Sequence, residues 1–537
     1  MTQASHYTCD IIMTSDLHGA IRPIHYPSNA YSHNGLALLA ARIKRERERA
    51  PELLLVDNGD LLQGSPLAAY AAAFQESYET HPFIEVLSEL GYDAAVMGNH
   101  EFNYGLDTLN RAVEASRFPW LSANIVDAQS GEPAFGPPYI IKQMASGVKV
   151  ALLGATTHYI PNWEQPQYIQ GLRFLDALET IRTWVQHIRD KEQPDLVVVS
   201  YHGGFENDLA TGQPAEPHTG ENQAYAICRD VEGIDVLLTG HQHRSLAEEL
   251  HGVTIVQTGY HGSSAAHVEV QLERQPEGRW EVKSKRAELL YPEESALPDA
   301  AVLALTDELE KRTQAWLDQP IGEIIGDLSI QNAAELRLAA HPFLAFVHQV
   351  QMEATGAQLS NAALLSEEAR GFGSKVTMRD VLSNFIYPNT LTVLELSGQD
   401  IWAALEQTAC YFSLDDQGGI IVNPLYMEPK AQHYNYDMWA GIDYELDISR
   451  AEGSRVIKLE RDGEPLKMDA SYSVVMNSYR AAGGGNYAMY AGKPVLFAGD
   501  TDMAMLAEHY IRKHQPLAAP RAGNWRVTAG QRIMPSI

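Results

Sequence analysis

The sequence predicts an α/β protein of two domains, on three observations. Short apolar runs in the first half alternate with amphipathic stretches, the pattern of strands and helices layered on one another. Five of those runs end in Asp, Asn or His beside a glycine. Near residue 290 the alternation stops, and one long helical stretch leads into a second part where helices mix with short strands.

In chain order, Cys9–Thr14 reads as a strand. Leu36–Glu48 reads as a helix, with Leu36, Leu39, Ala40 and Ile43 on one face and Lys44, Arg45, Arg47 and Glu48 on the other. Leu53–Val56 is the next strand, Phe83–Leu90 a helix stopped by Gly91, and Ala94–Met97 another strand. Lys149–Leu153, Leu196–Ser200 and Val236–Thr239 continue the series. Pro292 and Pro298 bracket a turn-rich stretch around Glu293-Glu294-Ser295. Ala300–Leu317 then reads as one helix, with Val302, Leu303, Leu305, Leu309 and Trp316 apolar, ended by Gln319-Pro320-Ile321-Gly322. The expected division is a first domain over 1–295, a linker helix over 296–320 and a second domain over 321–537. In that second domain Phe343–Thr355 and Ile401–Cys410 read as helices. Glu445–Ile448, Val456–Glu460 and Tyr472–Met476 read as strands.

A length of 537 residues exceeds one ordinary core. The formal net charge of −29 excludes a broad duplex nucleic-acid surface and docking to an anionic membrane, both of which need clustered Lys and Arg. An acidic protein can still take a small phosphate where cations concentrate positive charge. Cys9, Cys228 and Cys410 are sparse and odd in number, which reads as free thiols. The start, Met1-Thr2-Gln3-Ala4-Ser5-His6, has no basic region and no apolar signal core. The chain as it stands is therefore expected in the cytoplasm, or exported if a signal has been removed from it.

The chemistry is concentrated where the apolar runs end. Ile11–Thr14 leads into Ser15-Asp16-Leu17-His18-Gly19, and Leu53–Val56 into Asp57-Asn58-Gly59-Asp60. Ala94–Met97 leads into Gly98-Asn99-His100-Glu101, Leu196–Ser200 into Tyr201-His202-Gly203-Gly204, and Val236–Thr239 into Gly240-His241-Gln242-His243. Ligands of open α/β sheets bind at the carboxyl ends of the strands. A mixed oxygen and imidazole set suits Mn, Zn, Fe or Co.

This order of motifs resembles the calcineurin-like metallophosphoesterases of the 5′-nucleotidase superfamily. The resemblance implies a four-layer sandwich for the first domain and two divalent metal ions. Asp16, His18 and His243 would hold one, Asn99, His202 and His241 the other, and Asp60 would bridge them. It also implies that His100 stabilises phosphoryl oxygens or protonates the leaving alkoxide. Many relatives carry an Asp three residues after that histidine, where this chain has Asn103, which can orient the ring but cannot supply a charge. An Asn there resembles the cyclic-phosphodiesterase and 3′-nucleotidase branch.

The second half resembles the nucleotidase carboxyl-terminal domain, an α+β fold, in Tyr387-Pro388-Asn389-Thr390-Leu391, Ser397-Gly398-Gln399 with the Trp402 helix, Tyr434-Asn435-Tyr436-Asp437 and Asn477-Ser478-Tyr479-Arg480-Ala481-Ala482-Gly483-Gly484. The resemblance implies that Tyr434 and Tyr479 sandwich a base. Asn361, Arg370, Arg379 and Asn389 are further polar candidates for the pocket. Gly483-Gly484-Gly485 would let backbone approach a ligand, and a hinge is expected near Gln319–Gly322. The function implied is hydrolysis of nucleotide phosphoesters, of the 2′,3′-cyclic-nucleotide phosphodiesterase and 3′-nucleotidase type, by in-line attack of a cation-activated water on phosphorus. Its partner is a small nucleotide. The rivals are a 5′-nucleotidase or UDP-sugar hydrolase with the same metal site, and a non-catalytic nucleotide-binding protein.

Overall fold

The computed structural model describes residues 6–216, 218–293, 296–427 and 431–530. The amino-terminal Met1–Ser5 and the centre of the turn-rich stretch, Glu294-Ser295, lie outside the described residues. The chain divides into two compact units, Met1–Thr313 and Gln314–Ile537.

Two six-stranded sheets form the heart of the first unit. One runs in the order Trp280–Leu290, Ala265–Arg274, His6–Thr14, Leu54–Asp57, Ala94–Val96, Trp120–Leu121. The other runs Ser245–Leu250, Val253–Thr258, Val236–Thr239, Leu196–His202, Lys149–Thr156, Tyr139–Gln143. The central strands of each are parallel and the flanking hairpin strands antiparallel.

Side chains alternate across a strand, and here the alternation separates two cores. Ile11, Met13, Leu54, Val56 and Val96 of the first sheet meet Val150, Leu152, Val198, Val236 and Leu238 of the second. The residues between them on the second sheet, such as Ala151, Leu153, Val197, Val199 and Leu237, pack instead under Ile181, Val185 and Ile188 of the helix Ala177–Lys191. The first sheet's outward residues, Ile12, Leu55 and Ala95, are equally buried, as are Leu36, Leu39 and Ile43 of the helix Leu36–Arg49. The unit is the predicted four-layer sandwich. Buried parallel strands need apolar residues on both faces, which is why the central strands were legible as continuous apolar runs.

The structure extends several of the expected elements. The strand expected at Leu196–Ser200 continues to His202, so this histidine is the last residue of the strand and not part of the following loop. The hairpin Ala265–Arg274 and Trp280–Leu290 escapes a search for apolar runs because its strands alternate with polar residues, and most of the second strand is half-buried or exposed.

Ala300–Leu317 is one helix, as expected. Within the first unit Arg22 donates to Leu303 O and Thr306 Oγ1, and the Tyr26 hydroxyl donates to Glu310. Leu305 is 38% exposed, whereas Val302, Thr306, Leu309 and Thr313 form the buried stripe. The expected hinge at Gln319–Gly322 meets a different local structure: Pro320–Ile325 is a strand, paired with Lys375–Thr377.

The second unit is α+β. Its largest sheet runs Asp437–Ala440, Leu359–Ala363, Ser471–Asn477, Thr390–Ser397, Val495–Asp502, antiparallel except for one parallel pair. Two helices begin on reciprocal capping boxes, Thr377 with Asp380 and Ser397 with Asp400. Each box satisfies backbone donors that a helix start leaves unpaired. The Ser397-Gly398-Gln399 motif is thus a helix start, with Trp402 four residues inside it.

Candidate metal centre

Every residue expected at the centre sits at or just beyond the carboxyl end of a strand, and both sheets contribute. Asp16, His18, Asp60, Asn99 and His100 come from the first sheet; His202, His241 and His243 come from the second. The loops are zipped together by backbone bonds, Asp16 N to Gly59 O at 2.9 Å and His18 N to Asp60 O at 2.7 Å. Gly98 allows the closest approach: a Cβ there would lie 2.2 Å from Asp60 Oδ1 and 2.5 Å from its nitrogen.

The side chains converge on two clusters. Asp16, His18 and His243 form one, and Asp60, His202 and His241 the other, each with ligand atoms within 4.8 Å of one another. Asn99 joins the second through its Oδ1, 2.9 Å from His241 Nδ1. Asp60 lies where the clusters meet. Its Oδ2 is 3.2 Å from His202 Nε2 and 3.9 Å from His18 Nε2, while its Oδ1 accepts from the His100 backbone at 2.8 Å.

The donor set fits divalent cations on two further observations. A carbonyl oxygen can only accept, so the contacts of His18 Nδ1 with Gln63 O (2.9 Å) and His202 Nδ1 with Asn58 O (2.7 Å) make Nδ1 the donor in both rings. In their neutral forms both Nε2 lone pairs then face inward, the outer-shell arrangement typical of metal-binding histidines. His18 Nε2 points at His243 Nε2 only 3.0 Å away. His202 Nε2 is buried without a hydrogen bond of good geometry. Facing lone pairs repel unless a proton or cation lies between them.

The backbone carries the same message. Asp16, His18, Asp60, His241 and His243 all have positive φ, between 48° and 69°. A non-glycine residue pays about 1–2 kcal/mol there, and such strain clusters at functional sites.

Burial and charge set the protonation states. Burial disfavours the His202 imidazolium, but the Asp60 carboxylate outweighs it and raises the group to about 10. Burial likewise disfavours charge on Asp60, yet His202, His100 and His18 hold it well below the ordinary carboxylate range. Burial drives His18 the other way, well below an ordinary imidazole.

Four supporting residues escaped the sequence reading. Glu101, fully enclosed, accepts backbone N–H bonds from Asp60 (2.8 Å), Leu61 (2.7 Å), Leu62 (3.1 Å) and Gly98 (2.6 Å). It was visible in the motif, but nothing in its spacing shows that its oxygens serve another loop. Replacing Glu101 with alanine would strand four buried donors and is expected to lower stability by about 3–5 kcal/mol, read as a fall in denaturation midpoint. An unchanged midpoint would show that these donors find water. Glu221 lies 2.9 Å from His241 Nε2, Trp163 stacks on the His241 ring at 5.3 Å, and Tyr260 stacks on His243 at 4.8 Å.

His100 lies beside the clusters, its ring 5.2 Å from that of His18. Its Nδ1 is 2.6 Å from Asn103 Oδ1, and the Asn103 amide nitrogen donates to Glu164. Burial raises Glu164 to about 7 against that hydrogen bond.

The residues expected around a base lie in the second unit. Arg480, 1% exposed, binds Asp437 and donates to Tyr434 O at 3.0 Å, and it lies 5.6 Å from the centre of the Tyr479 ring. Tyr434 and Tyr479 are thus organised by one buried guanidinium. The glycine run makes room for the protein's own side chains. A Cβ on Gly484 would meet the Tyr479 ring at 2.6 Å, and one on Gly485 would meet Arg480 and Asn435 at 2.2 Å. Asn361 is 1% exposed, with its amide donating to Asp437 Oδ2 at 3.0 Å and facing the Tyr490 hydroxyl at 3.4 Å. Arg370 is exposed, Arg379 binds Asp318 and Gln314 at 2.6 Å each, and Asn389 is half-buried.

A four-layer sandwich carrying two neighbouring oxygen–imidazole clusters, with Asp60 lying where they meet, defines a metallophosphoesterase. The calcineurin-like phosphoesterase family matches residues 10–245 and the 5′-nucleotidase carboxyl-terminal domain matches residues 320–492. A crystal structure of a Staphylococcus aureus protein assigned as a 5′-nucleotidase, in complex with α-ketoglutarate, is 33% identical, with a TM-score of 0.89 over 97% of this chain and 100% of that one. A 2′,3′-cyclic-nucleotide 2′-phosphodiesterase/3′-nucleotidase of Yersinia enterocolitica is 27% identical over 98% of this chain and 89% of its own length. The trifunctional nucleotide phosphoesterase YfkN of Bacillus subtilis is 25% identical over 96% of this chain, which spans only 38% of that protein. The chain belongs to the 5′-nucleotidase family of calcineurin-like phosphoesterases, and is a phosphoric ester hydrolase of the divalent-metal-dependent kind. No described helix is long and apolar enough to cross a membrane.

Proposed function

We propose that this chain hydrolyses 2′,3′-cyclic nucleotides and 3′-nucleotides, releasing nucleoside and phosphate. The convergence of seven side chains from five strand ends, with Asp60 Oδ2 3.2 Å from His202 of one cluster and 3.9 Å from His18 of the other, carries the reading. The branch is supported by Asn103 and by the relatives whose names carry both activities.

In this reading Asp16, His18 and His243 would hold one cation and Asn99, His202 and His241 the other, with Asp60 serving both sites. The ions are Mn, Zn, Fe or Co. Such a pair would supply polarisation of the phosphoryl oxygens and an acidic water near neutral pH. His100 holds a proton at Nε2 for the departing ribose oxygen, with Asn103 fixing its Nδ1. In the second unit Tyr434 and Tyr479 take the base, whose stacking is worth about 1–3 kcal/mol per ring and tolerates any base.

The test is a rate comparison with 2′,3′-cyclic AMP, 3′-AMP, 5′-AMP and UDP-glucose in excess Mn²⁺. The first two are expected to give the highest kcat/KM. A preference for 5′-AMP would favour a 5′-nucleotidase, as other relatives are named. Absence of turnover, including on p-nitrophenyl esters, would leave a nucleotide-binding protein.

Cation binding should also release protons. In the metal-free protein His202 is protonated below about 10, and a ligand nitrogen must be deprotonated. Between pH 7 and 9 about one proton per chain is expected to leave on binding, with affinity falling as pH falls. Calorimetry in buffers of different ionisation enthalpy measures the release; heats independent of buffer would contradict it.

A further inference from the structure

We propose that Glu164 is a positioning residue for the proton-donating histidine, acting through Asn103. The inference deepens the phosphoesterase reading above and rests on it for its activity arm.

The geometry is a three-member chain: His100 Nδ1, Asn103 Oδ1 at 2.6 Å, and the Asn103 amide nitrogen donating to Glu164 Oε1. An asparagine amide has an acceptor end and a donor end of nearly the same shape, so by itself Asn103 could present either to the imidazole. With the donor end toward His100, Nδ1 would become the acceptor and the neutral ring's proton would move to Nε2. Once ionised, above the value of about 7 to which burial raises it, a glutamate opposite the amide removes the choice, because a carboxylate accepts and has no proton to give. It therefore holds the acceptor end toward His100 and keeps a proton on Nδ1. In the charged ring, Nδ1–H remains bound to Asn103 while Nε2–H faces the departing oxygen. Once that proton has left, the ring has the tautomer that takes the next proton at Nε2. A carboxylate directly on Nδ1 would do this without help. Here the acid stands one residue further out, and Asn103 carries its effect inward.

Glu164 is well placed for the task. It follows the turn Ile160–Asn162, with its own nitrogen bonded to Ile160 O at 3.0 Å. Its neighbour Trp163 stacks on His241 at 5.3 Å. The turn that follows, Pro166–Ile169, reaches the helix start at Gly105, where a Cβ would lie 3.6 Å from the Tyr168 ring. The segment is thus anchored on both sides of Glu164, so the carboxylate is presented to Asn103 by fixed structure.

The experiment is a double-mutant cycle on kcat and KM for 3′-AMP with saturating Mn²⁺. Glu164→Ala is expected to lower kcat by about tenfold to a hundredfold, the usual range for an outer-shell partner, with KM and bound metal unchanged. Glu164→Gln can still accept through its carbonyl and should recover most of the rate. In an Asn103→Asp background the sign should reverse. Two carboxylates then face each other, and Glu164→Ala should leave kcat unchanged or raise it. A role confined to holding the loop predicts the same loss in both backgrounds, and that result would overturn the proposal. Selective ¹⁵N labelling of histidine in the metal-free protein gives a second readout that needs no turnover. At a pH where the ring is neutral, the His100 signal, assigned by its loss in His100→Ala, should report the proton at Nδ1 in the wild type and a mixture of tautomers in Glu164→Ala. An unchanged tautomer would also overturn the proposal. An inactive wild type with the expected tautomer shift would instead locate the failure in the phosphoesterase reading.

Discussion

Replacing Asp60 with alanine is expected to abolish turnover, lowering kcat by at least about 10³-fold, and to strip the protein of its cations. The size follows from its position. Among the described residues, Asp60 Oδ2 is the carboxylate oxygen within 4 Å of both His202 and His18, at 3.2 and 3.9 Å. In the proposed arrangement its removal would take a ligand from both sites and the anion that would offset the repulsion between two cations. The alanine variant also frees the His100 backbone N–H, which bonds Asp60 Oδ1. Asp60→Asn separates these effects, since it keeps an acceptor of the same shape but lacks the charge. Metal analysis after gel filtration and initial rates in excess Mn²⁺ are the measurements. Full activity in the asparagine variant, with two ions retained, would refute the assignment of Asp60 as a bridge.

Replacing His100 with alanine should give the next largest loss, with a different signature. General acid catalysis by a placed side chain contributes about 10²–10⁴-fold. That contribution is needed only where the leaving oxygen is a poor one. For 3′-AMP, whose ribose alkoxide must be protonated, kcat should fall within that range while both ions stay bound. For p-nitrophenyl phosphate, whose phenolate leaves unassisted, the loss should be less than about tenfold. Equal losses on the two esters would show that His100 serves the phosphoryl oxygens and not the leaving group. Loss of metal on mutation would place it among the ligands.

These variants are chosen from residues already visible in the sequence, and that visibility has a physical origin. Parallel strands covered on both faces must be apolar throughout, so Leu54–Asp57 or Leu196–His202 stand out against polar loops. Their carboxyl ends are where side chains can gather without breaking the sheet, so Asp16, Asp60, Asn99, His202 and His241 could be picked out together. The supporting residues had no such marker. Glu101 belongs to the motif, but three of its four backbone bonds reach residues 60–62 across a long sequence separation, and only the fourth, from Gly98, is local. Glu164 and Glu221 lie on irregular segments. The contact of Asn361 with Asp437 joins strands 76 positions apart in sequence.

The sequence by itself determined the layered α/β class, the long helix at Ala300–Leu317 and the chemical inventory of the centre, because each depends on local pattern: apolar period, helix signals and residue type. Only the tertiary structure decided that the ligands come from two sheets packed face to face, that Asp60 sits where the clusters meet, and that Asn103 answers to a glutamate. Those facts depend on distances between segments that no local pattern encodes. They arise when burial of the shared core brings the strand ends together and holds five of the seven assigned ligands in a backbone conformation they would not adopt alone.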